Sequence, residues 1–191
     1  ATFYEAEACR RAGAGNVCGG RATAMAIGVA RLCRDTVLAD GAAAMADCRA
    51  GKPGPAFERV LEANILLSGF GFESGGVAAA HAIHHGLAQL PDTHSALHGE
   101  KVAFGVLVEL ALNGAADAEI LDIARFNLSV GLPVTLRALG IANVEAAIPV
   151  IVARATRPGE IIFNEPVEIS AETVTAALRR AESLGRRSEE N

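Results

Sequence analysis

Apolar residues recur at three- and four-residue intervals along most of this chain, and any fold it adopts has to bury that helical stripe. Residues 21–39 place Ala22, Met25, Ala26, Val29, Ala30, Leu32 and Cys33 on this spacing. Asp40 reads as the N-cap of a separate helix over 41–50, closed by Gly51. Pro53 and Pro55 open the next stretch. There Phe57, Val60, Leu61, Asn64, Ile65 and Ser68 keep the period until Gly69 and Gly71 stop it. The same spacing predicts helices over 76–90, 99–113, 116–130, 145–156 and 171–185, the last opened by Ser170, Glu172 and Thr173. Pro149 has to fall in the first turn of its helix or break it. Strand signals are confined to Ile161-Ile162-Phe163 and Val167-Glu168-Ile169, and no glycine-rich loop follows a strand. The chain therefore reads as all-α. It is expected to form one helical domain over 1–185 and a frayed, solvated tail over 186–191, with no nucleotide fold of its own.

Composition narrows the function classes. Of 191 residues, 51% are hydrophobic, which excludes a disordered chain. No apolar run reaches the roughly 18 residues that a membrane span needs. The net charge of −5 argues against a Lys/Arg-lined nucleic-acid groove. Only 4% of residues are aromatic, so alanine supplies much of the apolar share. A mean hydropathy of +0.30 is high for a free-standing domain: either much apolar surface is buried against a partner, or the core is unusually alanine-rich. The opening Ala1-Thr2-Phe3-Tyr4 has no Met and no signal-peptide character, so the start reads as a cut and the compartment as cytoplasmic. Cys9, Cys18, Cys33 and Cys48 include no Cys-x-x-Cys pair, which predicts reduced, mostly buried thiols rather than disulfides or a structural zinc site.

The histidines are the most informative feature. All five, His81, His84, His85, His94 and His98, fall within 18 residues. His81 and His85 are four apart and share a helix face, with His84 beside them. A turn around Pro91-Asp92-Thr93 follows, and His98 opens the next helix, so two antiparallel helices would bring His81 and His98 together. Two imidazoles from adjacent helices make half of a zinc site, and a carboxylate would complete the three ligands of a catalytic one. The plainer alternative is that these histidines cap carbonyls or lie on solvated faces. The small-residue run Gly75-Gly76-Val77-Ala78-Ala79-Ala80 just before them favours a site, because it allows close approach of a helix or ligand. His94 is expected on the surface.

The segments Leu66–His84 (LLSGFGFESGGVAAAHAIH) and His98–Gly105 (HGEKVAFG) resemble the glycerol dehydrogenases, a branch of the iron-containing (group III) alcohol dehydrogenase superfamily with a dehydroquinate synthase-like fold. The resemblance runs from Ala1 to near Arg180. Members pair an N-terminal α/β domain that binds NAD with a C-terminal helical bundle that carries most metal ligands, and this chain resembles the bundle alone. The resemblance implies that His81 and His98 bind zinc. The third ligand would be an Asp in a Gly-Asp-Ala-Leu-Ala-Thr-type motif, of which Ala1-Thr2 is the end, so that Asp is expected just before Ala1. Iron-type relatives place a further His where Thr2 stands, which aligns this chain with the three-ligand zinc type. His85 stands where close relatives more often have Asn, although distant ones have His near the nicotinamide. His84 and His85 are thus candidates for supporting the ligands or relaying a proton. Phe72 aligns with a residue expected beside the nicotinamide and substrate, and reads equally well as a core aromatic.

The function implied is zinc-dependent oxidation of glycerol or a related vicinal diol to the hydroxyketone, with NAD as hydride acceptor. Its partners are the NAD-binding domain of the same enzyme and further copies in a homo-oligomer, with no nucleic acid and no membrane. Residues 1–191 alone are expected to be inactive. The alternatives are a non-catalytic helical interaction or oligomerisation domain, and a sister polyol or alcohol dehydrogenase.

Overall fold

The computed structural model describes residues 1–190, and among them it is all-α. Apart from an isolated antiparallel bridge between Gly15 and Arg21 there is no β-structure. Among the described residues no helix is long and apolar enough to cross a membrane. The chain divides into two compact units, Thr2–Val77 and the remainder. The division falls where Gly76 turns the backbone to φ +100° and Ala78 leaves helical geometry.

The first unit contains α1 (Thr2–Ala12), α2 (Ala24–Ala50), α3 (Pro55–Glu62) and α4 (Ser68–Gly75), with one π-turn over Ala63–Leu67 between the last two. Phe3 and Ala6 of α1 pack on Ile27 and Ala30 of α2. The ring of Phe3 also lies under the guanidinium groups of Arg34 and Arg31, at 4.0 and 5.1 Å. The sequence reading had no helix at α1. Two other expectations are corrected. Asp40 caps nothing: α2 runs straight through it, and its carboxylate takes a bidentate pair from Arg59 at 2.6 and 2.7 Å. Thr23 is the N-cap instead, accepting from the Ala26 N–H, and Gly51 ends the helix in the left-handed conformation. Gly69 and Gly71 do not stop a helix either. A Cβ on Gly71 would sit 2.8 Å from Thr2 and 3.3 Å from Ala30, and one on Gly75 would sit 2.5 Å from Ala6. These glycines permit close packing within a helix that continues to Gly75.

The second unit contains α5 (Ala79–Leu87), α6 (His98–Leu112), α7 (Asp117–Ser129), α8 (Val144–Ala155) and α9 (Ala171–Glu189), with short 3₁₀ turns at Pro91–Thr93 and Ile161–Asn164. Ile83, Leu87, Phe104, Leu107, Ile120, Leu136, Ile151, Ile162 and Leu178 are fully buried. The expected strand at 161–163 is the second 3₁₀ turn, and 167–169 is irregular. Pro149 is the sixth residue of α8 and does not break it. Both Pro149 and Glu145 are exposed, so the carbonyl deprived of its amide partner lies on a solvated face. Of the expected tail, residues 186–189 continue α9, where Ser188 is buried and bonds Gly185 O. Asn191 lies outside the described residues. All four cysteines are free, Cys9 and Cys33 buried and Cys18 and Cys48 exposed, so the thiols are half rather than mostly buried.

Glycine sets the helix crossings here too. A Cβ on Gly86 would meet Ile151 O at 2.6 Å, and one on Gly105 would press into the Ala80 backbone, with Ala80 Cα only 3.0 Å away. Gly105→Ala is therefore expected to destabilise the chain by about 1–3 kcal/mol through overpacking. The same change at exposed, open Gly28 in α2 should stabilise it by about 0.5–1 kcal/mol. Urea unfolding midpoints of the two variants should shift in opposite directions.

Candidate metal centre

The histidine cluster is built by α5, α6 and the loop between them. The start of α5 is held by a buried carboxylate. Glu165 accepts the Ala79 N–H at 2.9 Å on one oxygen and the Asn113 amide at 2.7 Å on the other. Negative charge at a helix N-terminus is favourable, so this contact fixes the helix on which His81, His84 and His85 stand. The loop that follows is tied down from inside. The hydroxyl of buried Thr93 is shared between Leu87 O at 2.7 Å and Leu90 O at 3.1 Å. The buried Lys101 ammonium donates to Thr93 O at 3.1 Å and Ala96 O at 3.0 Å. At the far end Glu100 reaches back to the Leu97 N–H at 2.6 Å and caps the start of α6.

This framework places His98, the first residue of α6, over α5. The rings of His81 and His98 have centroids 5.4 Å apart, and those of His84 and His98 are 4.4 Å apart, edge to face. His98 Nδ1 and His84 Nε2 are 3.1 Å apart and share a hydrogen bond. The Nδ1 of His84 is buried with no hydrogen-bond partner. Burial, reinforced by the nearby His98, His85, Lys101 and His81, lowers the His84 pKa to about 4, so this ring is neutral at pH 7. His94 is exposed on the loop, as expected. Phe72 is half-buried on α4, in the first unit.

The donor set suits zinc in part. Two imidazoles from adjacent helices match the nitrogen component of a three-ligand zinc site. No group of three or more His, Cys, Asp or Glu side chains among the described residues is arranged to hold a metal ion.

Two residues absent from the sequence reading complete the cluster. His85 Nδ1 lies 3.0 Å from Glu160 Oε1, which also accepts the Ile161 N–H at 3.0 Å. The other Glu160 oxygen is paired with Arg154 of α8. Burial pushes the Glu160 carboxyl up, but the bonds from Arg154, Ile161 and His85 outweigh it and hold the pKa below the usual carboxylate value. No local motif marks Glu160 or Arg154. They lie 75 and 69 residues from His85, and only the packing of α8 beside α5 joins them.

No protein-family model matches the chain. It is 47% identical over 186 residues to the glycerol dehydrogenase of Pseudomonas putida, a match covering 97% of this chain and 51% of that protein. It is 42% identical over 188 residues to the glycolaldehyde reductase of Halobacterium salinarum, covering 98% and 52%. Among solved structures, a probable glycerol dehydrogenase from Sinorhizobium meliloti superposes with a TM-score of 0.94 at 41% identity, covering 97% of this chain and 53% of that one. The chain thus spans about half the length of the relatives it matches.

Removing the Lys101 ammonium would leave the Thr93 and Ala96 carbonyls without their donor. Lys101→Met is expected to cost about 1–3 kcal/mol, the penalty for buried groups left unpaired. Thermal unfolding should show it as a lowered midpoint, and hydrogen exchange should quicken in the 88–97 loop.

Proposed function

Because the chain belongs to the glycerol dehydrogenase family and matches the helical C-terminal part of its members, we propose that it forms the metal-binding half of an NAD- and zinc-dependent polyol dehydrogenase. The single observation that carries this reading is the pairing of the His81 and His98 rings across α5 and α6. In this proposal the two imidazoles are zinc ligands, and the third is an Asp supplied from sequence outside these 191 residues. When bound, zinc polarises a substrate hydroxyl and NAD takes up hydride from the carbon that bears it.

The chain's own residues do the positioning. If His98 Nδ1 donates to His84 Nε2, Nε2 is the nitrogen through which His98 would ligate a cation. The neutral His84 then acts as the outer partner that fixes the tautomer of a ligating histidine. His85, whose ring lies 5.7 Å from that of His84, is proposed as a contact for cofactor or substrate. Phe72 is proposed as an apolar contact for the nicotinamide, on the resemblance alone. Glycerol or a related vicinal diol is the proposed substrate. A small hydroxyaldehyde–diol pair is the second reading, favoured by the 42% identity to a protein named glycolaldehyde reductase.

In the enzyme formed by this chain with its NAD-binding part, His81→Ala and His98→Ala should each lose bound zinc and glycerol-dependent NADH formation together. Zinc retained at wild-type stoichiometry in both variants would overturn the ligand assignment. The 191 residues alone should give no turnover with glycerol and NAD. Clear zinc-dependent activity of this chain by itself would overturn the proposed division of the site.

Partner surfaces are proposed as well. Met25, Ile65 and Leu66 are each at least 60% exposed, more than scattered surface apolar residues need to be. We propose a cytoplasmic homo-oligomer in which such faces are covered by the NAD-binding domain or by other copies. Light scattering should find the isolated chain self-associated, and a monodisperse monomer at micromolar concentration would count against it.

A further inference from the structure

His85 is wired differently from its neighbour His84. The His84 ring pairs with another histidine, whereas His85 Nδ1 faces a carboxylate, Glu160, whose side chain is only 8% exposed. Three donors converge on that carboxylate: the Arg154 guanidinium, the Ile161 N–H and the His85 ring. A carboxylate paired with a guanidinium is ionised, and an ionised carboxylate only accepts hydrogen bonds. The ring nitrogen facing it must therefore carry the hydrogen. That places the proton of a neutral His85 on Nδ1 and leaves the lone pair on Nε2. His85 is about one-third exposed, and it is Nδ1, not Nε2, that faces Glu160. The charged and titratable groups around the ring are Glu160, Arg154 and His84.

We infer that Glu160, clamped by Arg154, is a positioning residue that fixes His85 as its Nδ1–H tautomer, so that Nε2 accepts the proton of the substrate hydroxyl during polyol oxidation. The step balances simply. The substrate O–H bond breaks, its electron pair stays on oxygen, and an N–H bond forms at Nε2. The resulting imidazolium holds one proton on each nitrogen, its charge is compensated by Glu160, and Nε2 later releases the proton to water. The hydride leaves separately to NAD. The chemical role rests on the dehydrogenase reading above, whereas the tautomer rests on hydrogen bonding alone. This geometry also gives Arg154 a function: without it, the carboxylate could take up a proton and donate to Nδ1, which would invert the tautomer.

Two measurements keep these parts separate. Nitrogen-15 spectra of the histidine-labelled 191-residue chain at about pH 9, where imidazole is neutral, should show His85 protonated at Nδ1 and bare at Nε2. A proton on Nε2 would overturn the inference, whatever the substrate. In the zinc-loaded enzyme with its NAD-binding part, Glu160→Gln should leave zinc content unchanged and lower kcat by roughly 10- to 100-fold, the usual effect of losing a group that orients a histidine. His85→Asn should lower it at least as far, with little further loss in the double variant. A wild-type kcat in Glu160→Gln would overturn the positioning role. Absence of glycerol oxidation by the wild-type enzyme would instead overturn the substrate reading and leave the ring spectrum to decide the tautomer.

Discussion

The close crossing of α5 and α6 is the constraint on which the histidine cluster depends. Gly105 lies against the backbone of Ala80, the residue immediately before His81. A side chain there would hold the helices apart by the width of a methyl group, and the 5.4 Å separation of the His81 and His98 rings would not survive it. Close-packed interiors transmit such changes because they contain few voids to absorb them. The alanine-rich composition has the same explanation. Ala78, Ala79, Ala80 and Ala82 are fully buried, which lets neighbouring backbone come near α5.

Around this crossing, each end of the site is held by a buried polar group with its partners in place. Glu165 anchors the start of α5, and Lys101 and Thr93 gather the loop carbonyls. Glu160 and Arg154 fix the side of the cluster that faces α8. Buried polar groups are costly when unpaired and specifying when paired, so this network selects one arrangement of loop and helices from those an apolar core alone would allow. The imidazoles themselves are left partly exposed.

His84 and His85 show how neighbours in sequence acquire different chemistry. His84 is desolvated among other imidazoles and a lysine, and stays neutral. His85, one residue on, points its Nδ1 to the Glu160 carboxylate, which accepts a hydrogen bond from it. The difference arises from a helical rotation of about 100° per residue, which turns adjacent side chains toward different neighbouring elements.

Much of this was legible in the sequence. Helical periodicity gave α6, α7 and α8 to within a residue or two at each end, because burying an apolar stripe is a local consequence of spacing. The His81–His98 pairing was legible as well, since a short turn between two helices leaves few ways to arrange them. Glycine was misread. Gly69 and Gly71 look like helix stops in sequence, yet Gly71 is a packing position, and only the helices against it decide which role a glycine plays. Asp40 looked like a cap until Arg59 of α3 claimed its carboxylate. By itself the sequence determined the helical class, the cluster and the two facing histidines. Tertiary structure alone decided the Glu160–Arg154 support of His85, because pairs so far apart in sequence meet only where packing brings their helices together.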